Sequence, residues 1–241
     1  MLRRFLYFLF LVGGLAVAVP WWMQRQRSPW AEIAQGIQMR RFTSVNGGGA
    51  AHIIAFRFAP SRLHVVTGSP TNAATWRQRE GALVAVNGAF FDPHKKSLGL
   101  RISKGQTRVR LVPGGGPVFR VRDDRAAIFD AAAFQTRRTT SQAIQCSPRL
   151  VANGKVAKLK DQWARRTALG IRCDGRVVLA VADGAITFQD WARIWAAPDG
   201  LACMDAMSLD GGGSTQLSVQ TPRAQLEILG FTDVPDAVVV R

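Results

Sequence analysis

Residues 168–181 read Ala-Leu-Gly-Ile-Arg-Cys-Asp-Gly-Arg-Val-Val-Leu-Ala-Val, and this stretch decides the fold class. Two apolar runs flank Asp174-Gly175, and Asp-Gly between apolar runs is typical of a β-hairpin turn. Further short apolar runs, each bounded by Gly, Pro, Asn or Asp, lie at 52–58, 63–66, 83–86, 98–102, 126–129 and 216–219. We therefore predict an α+β fold with a mixed, largely antiparallel β-sheet core.

Two segments predict packed helices. Residues 71–80 form a short polar helix. Thr187 can cap a second helix, with Asp190 three residues later as in a capping box. In that helix the large apolar side chains share one face, namely Phe188, Trp191, Ile194 and Trp195.

The N-terminus carries the pattern of an export signal. Arg3-Arg4 precede residues 5–19, which contain no charge, as in the positive and apolar regions of a signal peptide. Ala16-Val17-Ala18 offers a cleavage site, whereas extension through 21–23 approaches the roughly 20 apolar residues of a membrane span. We expect a signal peptide or membrane anchor over 1–28, a linker over 29–44 and one domain over 45–241, delivered to the periplasm.

The charge balance points to anionic partners. The 241 residues include 32 Lys and Arg against 16 Asp and Glu, a net charge of +16, which predicts attraction to polyanions. Nucleic acid is not expected, because no helix-turn-helix, zinc-finger or RNA-binding signature is present. The partners that remain are an anionic or phosphorylated saccharide and, through the N-terminal segment, the membrane. The sequence does not say whether two of its three cysteines pair: Cys146, Cys173 and Cys203.

Several apolar strands end in polar residues and glycines, an arrangement that positions a polar group rigidly. Asp183 and Asp210 end two such strands and are candidates for general acid–base chemistry or for a divalent cation, although Asp-Gly is also an ordinary turn. Arg166 can offer a bidentate fork to a phosphate oxygen. Gly211, Gly212 and Gly213 can form an anion-binding nest of backbone N–H groups. Ser214 follows them, but no G-x-S-x-G elbow surrounds it.

Taken together, these segments resemble the phosphodiester glycosidase family in order and spacing over residues 45–240. The resemblance rests on five motifs, 87–92, 99–105, 147–154, 166–170 with 181–184, and 208–214, which read NGAFFD, GLRISKG, SPRLVANG, RTALG with VADG, and SLDGGGS. Two positions depart from the family pattern. Ala89 replaces a glycine, and Ser208 replaces an asparagine, which puts the identity of the substrate in doubt.

The resemblance implies an exported hydrolase that cleaves a sugar-1-phosphodiester bond in envelope or exopolysaccharide metabolism. It assigns Asp183 and Asp210 to catalysis and Arg166 to the phosphate, with Asn87 on a sugar hydroxyl or in a supporting link. Further substrate contacts would come from Asp92, Ser208, Gly211, Gly212, Gly213 and Ser214. No cofactor is certain, and a divalent cation stays an open alternative. The competing interpretation is a non-catalytic module that binds an anionic glycan through the same residues.

Overall fold

The computed structural model describes residues 28–46, 49–136 and 139–241. The expected signal or anchor therefore lies outside the described residues, apart from Ser28. Within the described part of the chain, no helix is both long and apolar enough to cross a bilayer.

Eighteen strands and two α-helices make up the described chain. The helices are α1 (Ala73–Arg79) and α2 (Phe188–Ala196). The strands are β1 (Ala31–Ala34), β2 (Ile37–Asn46), β3 (Gly49–Phe58), β4 (Leu63–Thr71), β5 (Val84–Asn87), β6 (Arg101–Ser103), β7 (Gln106–Val109), β8 (Val118–Arg122), β9 (Arg125–Phe129), β10 (Thr140–Gln145), β11 (Arg149–Ala152), β12 (Lys155–Val156), β13 (Ala164–Arg172), β14 (Val177–Ile186), β15 (Cys203–Ser208), β16 (Leu217–Thr221), β17 (Ala224–Ile228) and β18 (Val234–Val240).

The strands form three antiparallel sheets. The largest has the order β1-β2-β3-β14-β13-β15-β11-β12, and the other two have the orders β7-β6-β10-β8-β9 and β17-β16-β5-β18-β4. The hairpin predicted around Asp174-Gly175 joins β13 to β14, with Leu169 opposite Leu179. The prediction of an α+β fold with a largely antiparallel core is confirmed.

One hydrophobic core joins the three sheets. Phe56, Leu169 and Leu179 enter it from the large sheet, while Val86 and Phe119 enter it from the two smaller ones. The outer face of the large sheet packs against α2, and the outer face of the sheet that contains β5 packs against α1. Both helices thus cover sheet faces whose apolar side chains would otherwise face water.

Helix α2 begins where the capping pattern predicts. Thr187 Oγ1 accepts a hydrogen bond from the Asp190 backbone N–H at 3.0 Å. Trp191 and Trp195 are fully buried and meet edge to face with their ring centroids 5.5 Å apart. The polar helix expected over 71–80 is α1, which begins after Asn72.

The expected linker over 29–44 is wrong, because most of these residues form β1 and β2 of the large sheet. In β2, Gln38 lies opposite Arg57, and the pairing with β3 continues to Asn46 opposite Gly49. Arg40 and Arg41 interrupt the apolar alternation of β2, which hides the strand from pattern analysis. The alternative that Asp183-Gly184 forms an ordinary turn is also wrong, because both residues lie inside β14.

We predict that Gly170→Ala destabilises the protein by about 1–3 kcal/mol through overpacking. A Cβ atom at Gly170 would lie 2.7 Å from the Asp205 carbonyl oxygen and 2.9 Å from the Trp195 ring. Gly213→Ala is the control, since its Cβ would meet nothing closer than 3.7 Å. Thermal unfolding of both variants tests this, and equal melting temperatures would contradict it.

Candidate functional site

Asn87 is the last residue of β5, and its side chain is fully buried. Its Nδ2 donates to the carbonyl oxygens of Asp210 at 2.8 Å and Gly88 at 3.1 Å. Its Oδ1 accepts from Thr167 Oγ1 at 2.7 Å and from the Gln216 backbone N–H at 3.3 Å. Both donor hydrogens and both acceptor positions are used inside the protein. The geometry is therefore that of a supporting link between loops.

The residues after Asn87 wrap around a buried carboxylate, that of Asp236 in β18. Asp236 Oδ1 accepts from the Ala89 backbone N–H at 2.9 Å, and the Gly88 N–H donates to the Asp236 carbonyl oxygen at 2.9 Å. A Cβ atom at Gly88 would lie 1.8 Å from Asp236 Oδ1. Glycine is required here by this close approach.

Arg101 in β6 forms a buried ion pair with Asp236, with Nε 3.2 Å from Oδ2 and both side chains 0% exposed. The guanidinium also donates to five carbonyl oxygens, those of Phe90, Leu98, Gly99, Leu100 and Gln145. Ser97 Oγ donates to the same carboxylate. Sequence reasoning assigned no role to Arg101 or Asp236. The available signal was a lone aspartate inside the apolar run of β18.

Asp210 lies two residues after the end of β15 and is half-buried. Its Oδ1 accepts from the Gly211 backbone N–H at 2.8 Å, and the Ser214 side chain also hydrogen-bonds to the carboxyl group. Burial raises the pKa of Asp210, and the negative charge of Asp236 raises it further, whereas the hydrogen bonds from Ser214 and Gly211 oppose the shift. Asp210 therefore keeps its proton to a higher pH than an exposed aspartate.

The glycine loop after Asp210 turns tightly through a short 3₁₀ segment, Gly212–Ser214. Gly212 has a φ of +60°, which favours glycine, and a Cβ at Gly211 would lie 2.9 Å from the Arg165 carbonyl oxygen. Ser208, just before this loop, is buried, and its hydroxyl donates to the Leu209 carbonyl oxygen at 2.9 Å. The loop itself thus approaches the strand that carries both arginines of the site.

Arg166 lies beside Gly211, with Nη1 3.8 Å from where a Cβ would stand. Its guanidinium stacks over the Phe188 ring at 3.4 Å from the centroid and donates to the Gln162 carbonyl oxygen. Burial lowers the pKa of Arg166 to about 10. Within the described residues, no carboxylate lies at ion-pair distance from this cation. Arg166 is thus a buried positive charge held by a carbonyl oxygen and an aromatic ring.

Asp183 and Asp210 do not share surroundings. Asp183 Oδ1 lies 3.2 Å from Nε of Arg165, and its side chain is 45% exposed. It lines an open cavity of about 660 Å³ together with His52 and Glu227. No hydrogen bond or ion pair joins Asp183 to Asp210 in the part of the chain that the structure describes. The carboxylate that acts on Asp210 is Asp236 instead.

Asp92 organises a turn rather than facing a cavity. Its Oδ1 accepts from the Lys96 backbone N–H at 2.9 Å, and its carbonyl oxygen accepts from the Lys95 N–H.

Cys146 lies behind the site, and burial raises the pKa of its thiol to about 12, which keeps it neutral. All three cysteines are free thiols.

The described residues contain no cluster of three or more His, Cys, Asp or Glu side chains that could hold a metal ion. The site brings together the carboxyl group of Asp210, the glycine loop and two arginines.

The particular family follows from the sequence profile. The profile of the phosphodiester glycosidase family matches residues 80–241, and the chain belongs to this family. The matched range contains every candidate site residue named above. The Escherichia coli K12 protein YigE is 32% identical over 124 residues, which cover 45% of this chain and 48% of that protein. The chain thus spans about half the length of this curated relative.

Solved structures share the fold. The catalytic domain of zebrafish N-acetylglucosamine-1-phosphodiester alpha-N-acetylglucosaminidase, auto-inhibited by its pro-peptide, superposes with a TM-score of 0.70 at 16% identity. That match covers 90% of this chain and 88% of the zebrafish chain. A Synechocystis protein gives 0.63 at 14% identity, over 86% of this chain and 63% of its own. A Burkholderia pseudomallei K96243 protein gives 0.60 at 13% identity, over 79% and 74%.

We predict that Asp236→Asn destabilises the protein by about 3–5 kcal/mol, because it leaves the buried charge of Arg101 without a counter-ion. Asp123→Asn is the control, since the ion pair of Asp123 with Arg122 is exposed and contributes at most about 1 kcal/mol. Chemical denaturation measures both changes. Equal midpoints for the two variants would show that the buried pair is dispensable.

Proposed function

We propose that this protein hydrolyses a sugar-1-phosphodiester, cleaving the bond between the anomeric carbon and the phosphate oxygen. The single observation that carries the proposal is the placement of Asp210. Its half-buried carboxyl group has a raised pKa and stands at the end of a buried strand, immediately before a glycine loop beside two arginines. A carboxyl group that keeps its proton to a higher pH, with cations nearby, suits this reaction.

In the proposed reaction, Asp210 donates its proton to the departing phosphate oxygen while water attacks the anomeric carbon. The C–O bond breaks with its electron pair on the oxygen, which yields a free sugar and a phosphate monoester, while the attacking water loses one proton to solvent and Asp210 is reprotonated from solvent. A phosphate monoester is already a good leaving group, so neutralising its charge contributes more than full proton transfer. Gly212 lets the substrate approach the backbone, because nothing lies within 4 Å of the place where its Cβ would stand.

The cation that meets the phosphate is Arg166 or Arg165. Arg166 suits the role because no carboxylate neutralises it and because its guanidinium can form two parallel hydrogen bonds to a phosphate. Arg165 is already paired with Asp183, which makes Asp183 a group that orients this arginine. Asp183 then acts through Arg165, and its own protonation is not needed.

We further propose that the domain acts in the periplasm, in envelope or exopolysaccharide metabolism. The support is the charge pattern of the N-terminus, where Arg3-Arg4 precede fifteen uncharged residues. A reporter that is active only after export, fused to residues 1–45, would test this. An inactive reporter in a stable fusion would contradict it.

Asp210→Asn should lower turnover of sugar-1-phosphodiesters by about 10²–10⁴, the range of a general acid–base group. The substitution keeps the shape of the side chain but removes the exchangeable proton. The melting temperature should change little, because no cavity forms. The measurement is hydrolysis of a panel that includes N-acetylglucosamine-1-phosphodiesters, with and without chelator.

Asp174→Asn is the matched control, since Asp174 is exposed and lies in the β13–β14 hairpin turn, at the opposite end of β13 from Arg166. It should keep full activity. If Asp210→Asn also keeps most of its activity, or unfolds, Asp210 is not the acid. If chelator abolishes wild-type turnover, a divalent cation takes part in the reaction.

The pH–rate profile should show the raised pKa of Asp210. A general acid is active while protonated, so kcat/KM should fall as the pH rises through that pKa, which is higher than that of an exposed aspartate. The decline should be absent in Asp210→Asn. If activity instead rises over the same pH range, Asp210 acts as a carboxylate, which contradicts the acid role.

A second candidate function is a non-catalytic module that binds an anionic glycan. The observation that favours it is that Asp183 is engaged by Arg165 and is not among the charges that shift the pKa of Asp210. Two-carboxylate glycosidases instead place both groups across one cleft. Saturable glycan binding without turnover across the whole panel would support this candidate.

A further inference from the structure

The loop between β17 and β18 is held firmly although it lies at the surface. The Phe231 backbone N–H donates to the Gly213 carbonyl oxygen at 2.7 Å, and Gln216 Nε2 donates to the Thr232 carbonyl oxygen at 3.1 Å. A Cβ at Gly230 would lie 2.8 Å from Gln216 Nε2, so the loop packs closely on that side chain. These contacts fix the loop against the glycine loop that follows Asp210.

From this fixed loop, the ring of Phe231 projects into solvent and is 83% exposed. Single exposed apolar residues are common, so exposure alone carries no conclusion. Here, however, the Arg165 guanidinium lies 5.5 Å from the ring centroid and also donates to the Leu229 carbonyl oxygen at 3.0 Å. The backbone hydrogen bond and the cation position the ring, while most of its surface stays open.

Phe231 also lines an open cavity of about 410 Å³, a size within the usual range of ligand pockets. Glu227 and Asp233 line the same cavity, and their carboxylates can only accept hydrogen bonds when ionised. Sugar hydroxyls are donors for such acceptors. The electron-rich face of an aromatic ring attracts the weakly positive C–H groups on the flat side of a pyranose.

We propose that Phe231 is the platform on which the sugar ring of the substrate stacks, with Glu227 and Asp233 accepting hydrogen bonds from its hydroxyls. This inference rests on the proposed function, because it names the sugar subsite of the same reaction. Phe231 binds and orients the sugar and takes no part in bond cleavage. Arg165 is a positioning residue for the ring.

The test compares Phe231→Ala with Phe231→Trp in the full-length protein, on the best substrate of the hydrolysis panel. Phe231→Ala should raise KM about tenfold, equivalent to about 1.4 kcal/mol, and leave kcat within about twofold. Phe231→Trp should restore KM, since it keeps an aromatic face. Val45→Ala is the control, because Val45 is an apolar side chain of β2 that is 73% exposed.

Each result either supports or overturns sugar stacking on Phe231. An unchanged KM in Phe231→Ala, or a lowered melting temperature, overturns it while the proposed function stands. If the wild-type protein hydrolyses nothing, the proposed function fails. Saturation-transfer NMR with free monosaccharides then tests whether Phe231 binds a sugar ring. Signals that are present in the wild type and lost in Phe231→Ala support it, and their absence from the wild type overturns it.

Discussion

The buried ion pair between Arg101 and Asp236 is the constraint on which the site depends. Neither side chain is exposed, and charges removed from water need partners for every donor and acceptor. Here most of those partners are backbone groups, and the Ser97 hydroxyl is a further one. Arg101 donates to the Phe90 carbonyl oxygen within the Asn87–Asp92 segment and to the Gln145 carbonyl oxygen of β10, and Asp236 accepts from the Ala89 N–H. A pair of this kind specifies one arrangement of loops more than it adds net stability.

Hydrogen bonds connect this ion pair to Asp210, the proposed general acid. Gly88 must be a glycine because it lies against Asp236, and the Gly88 carbonyl oxygen accepts from the Asp210 backbone N–H at 3.1 Å. Asn87 then binds the Asp210 carbonyl oxygen from the other side. The position of the Asp210 backbone is thus set by buried groups of another sheet. The charge of Asp236 also contributes to the raised pKa of Asp210.

The sequence predicted the parts of this molecule that depend on local patterns. The hairpin at Asp174-Gly175 and the Thr187 cap depend on residues close in sequence, so both could be predicted from local sequence patterns. The strand character of 37–46 was hidden, because arginines occupy β2 where alternation was expected. Asp236 and Arg101 lie 135 positions apart in the chain, and no single-sequence pattern pairs residues at that separation. The surroundings of Asp183 likewise depend on Arg165 across a strand pair.

The pairing of Asp183 with Arg165 also bears on which bond the site can cleave. Hydrolysis of an ordinary glycoside draws on two carboxyl groups, because an alcohol is a poor leaving group and needs full proton transfer. Of the carboxylates near Asp210, Asp236 is buried in an ion pair and unable to reach a substrate. With Asp183 engaged by Arg165 and Asp236 buried, Asp210 and the two arginines favour a leaving group that is already anionic and a weak base. A phosphate ester meets both conditions, so the geometry of this chain supports phosphodiester cleavage better than cleavage of a neutral glycoside.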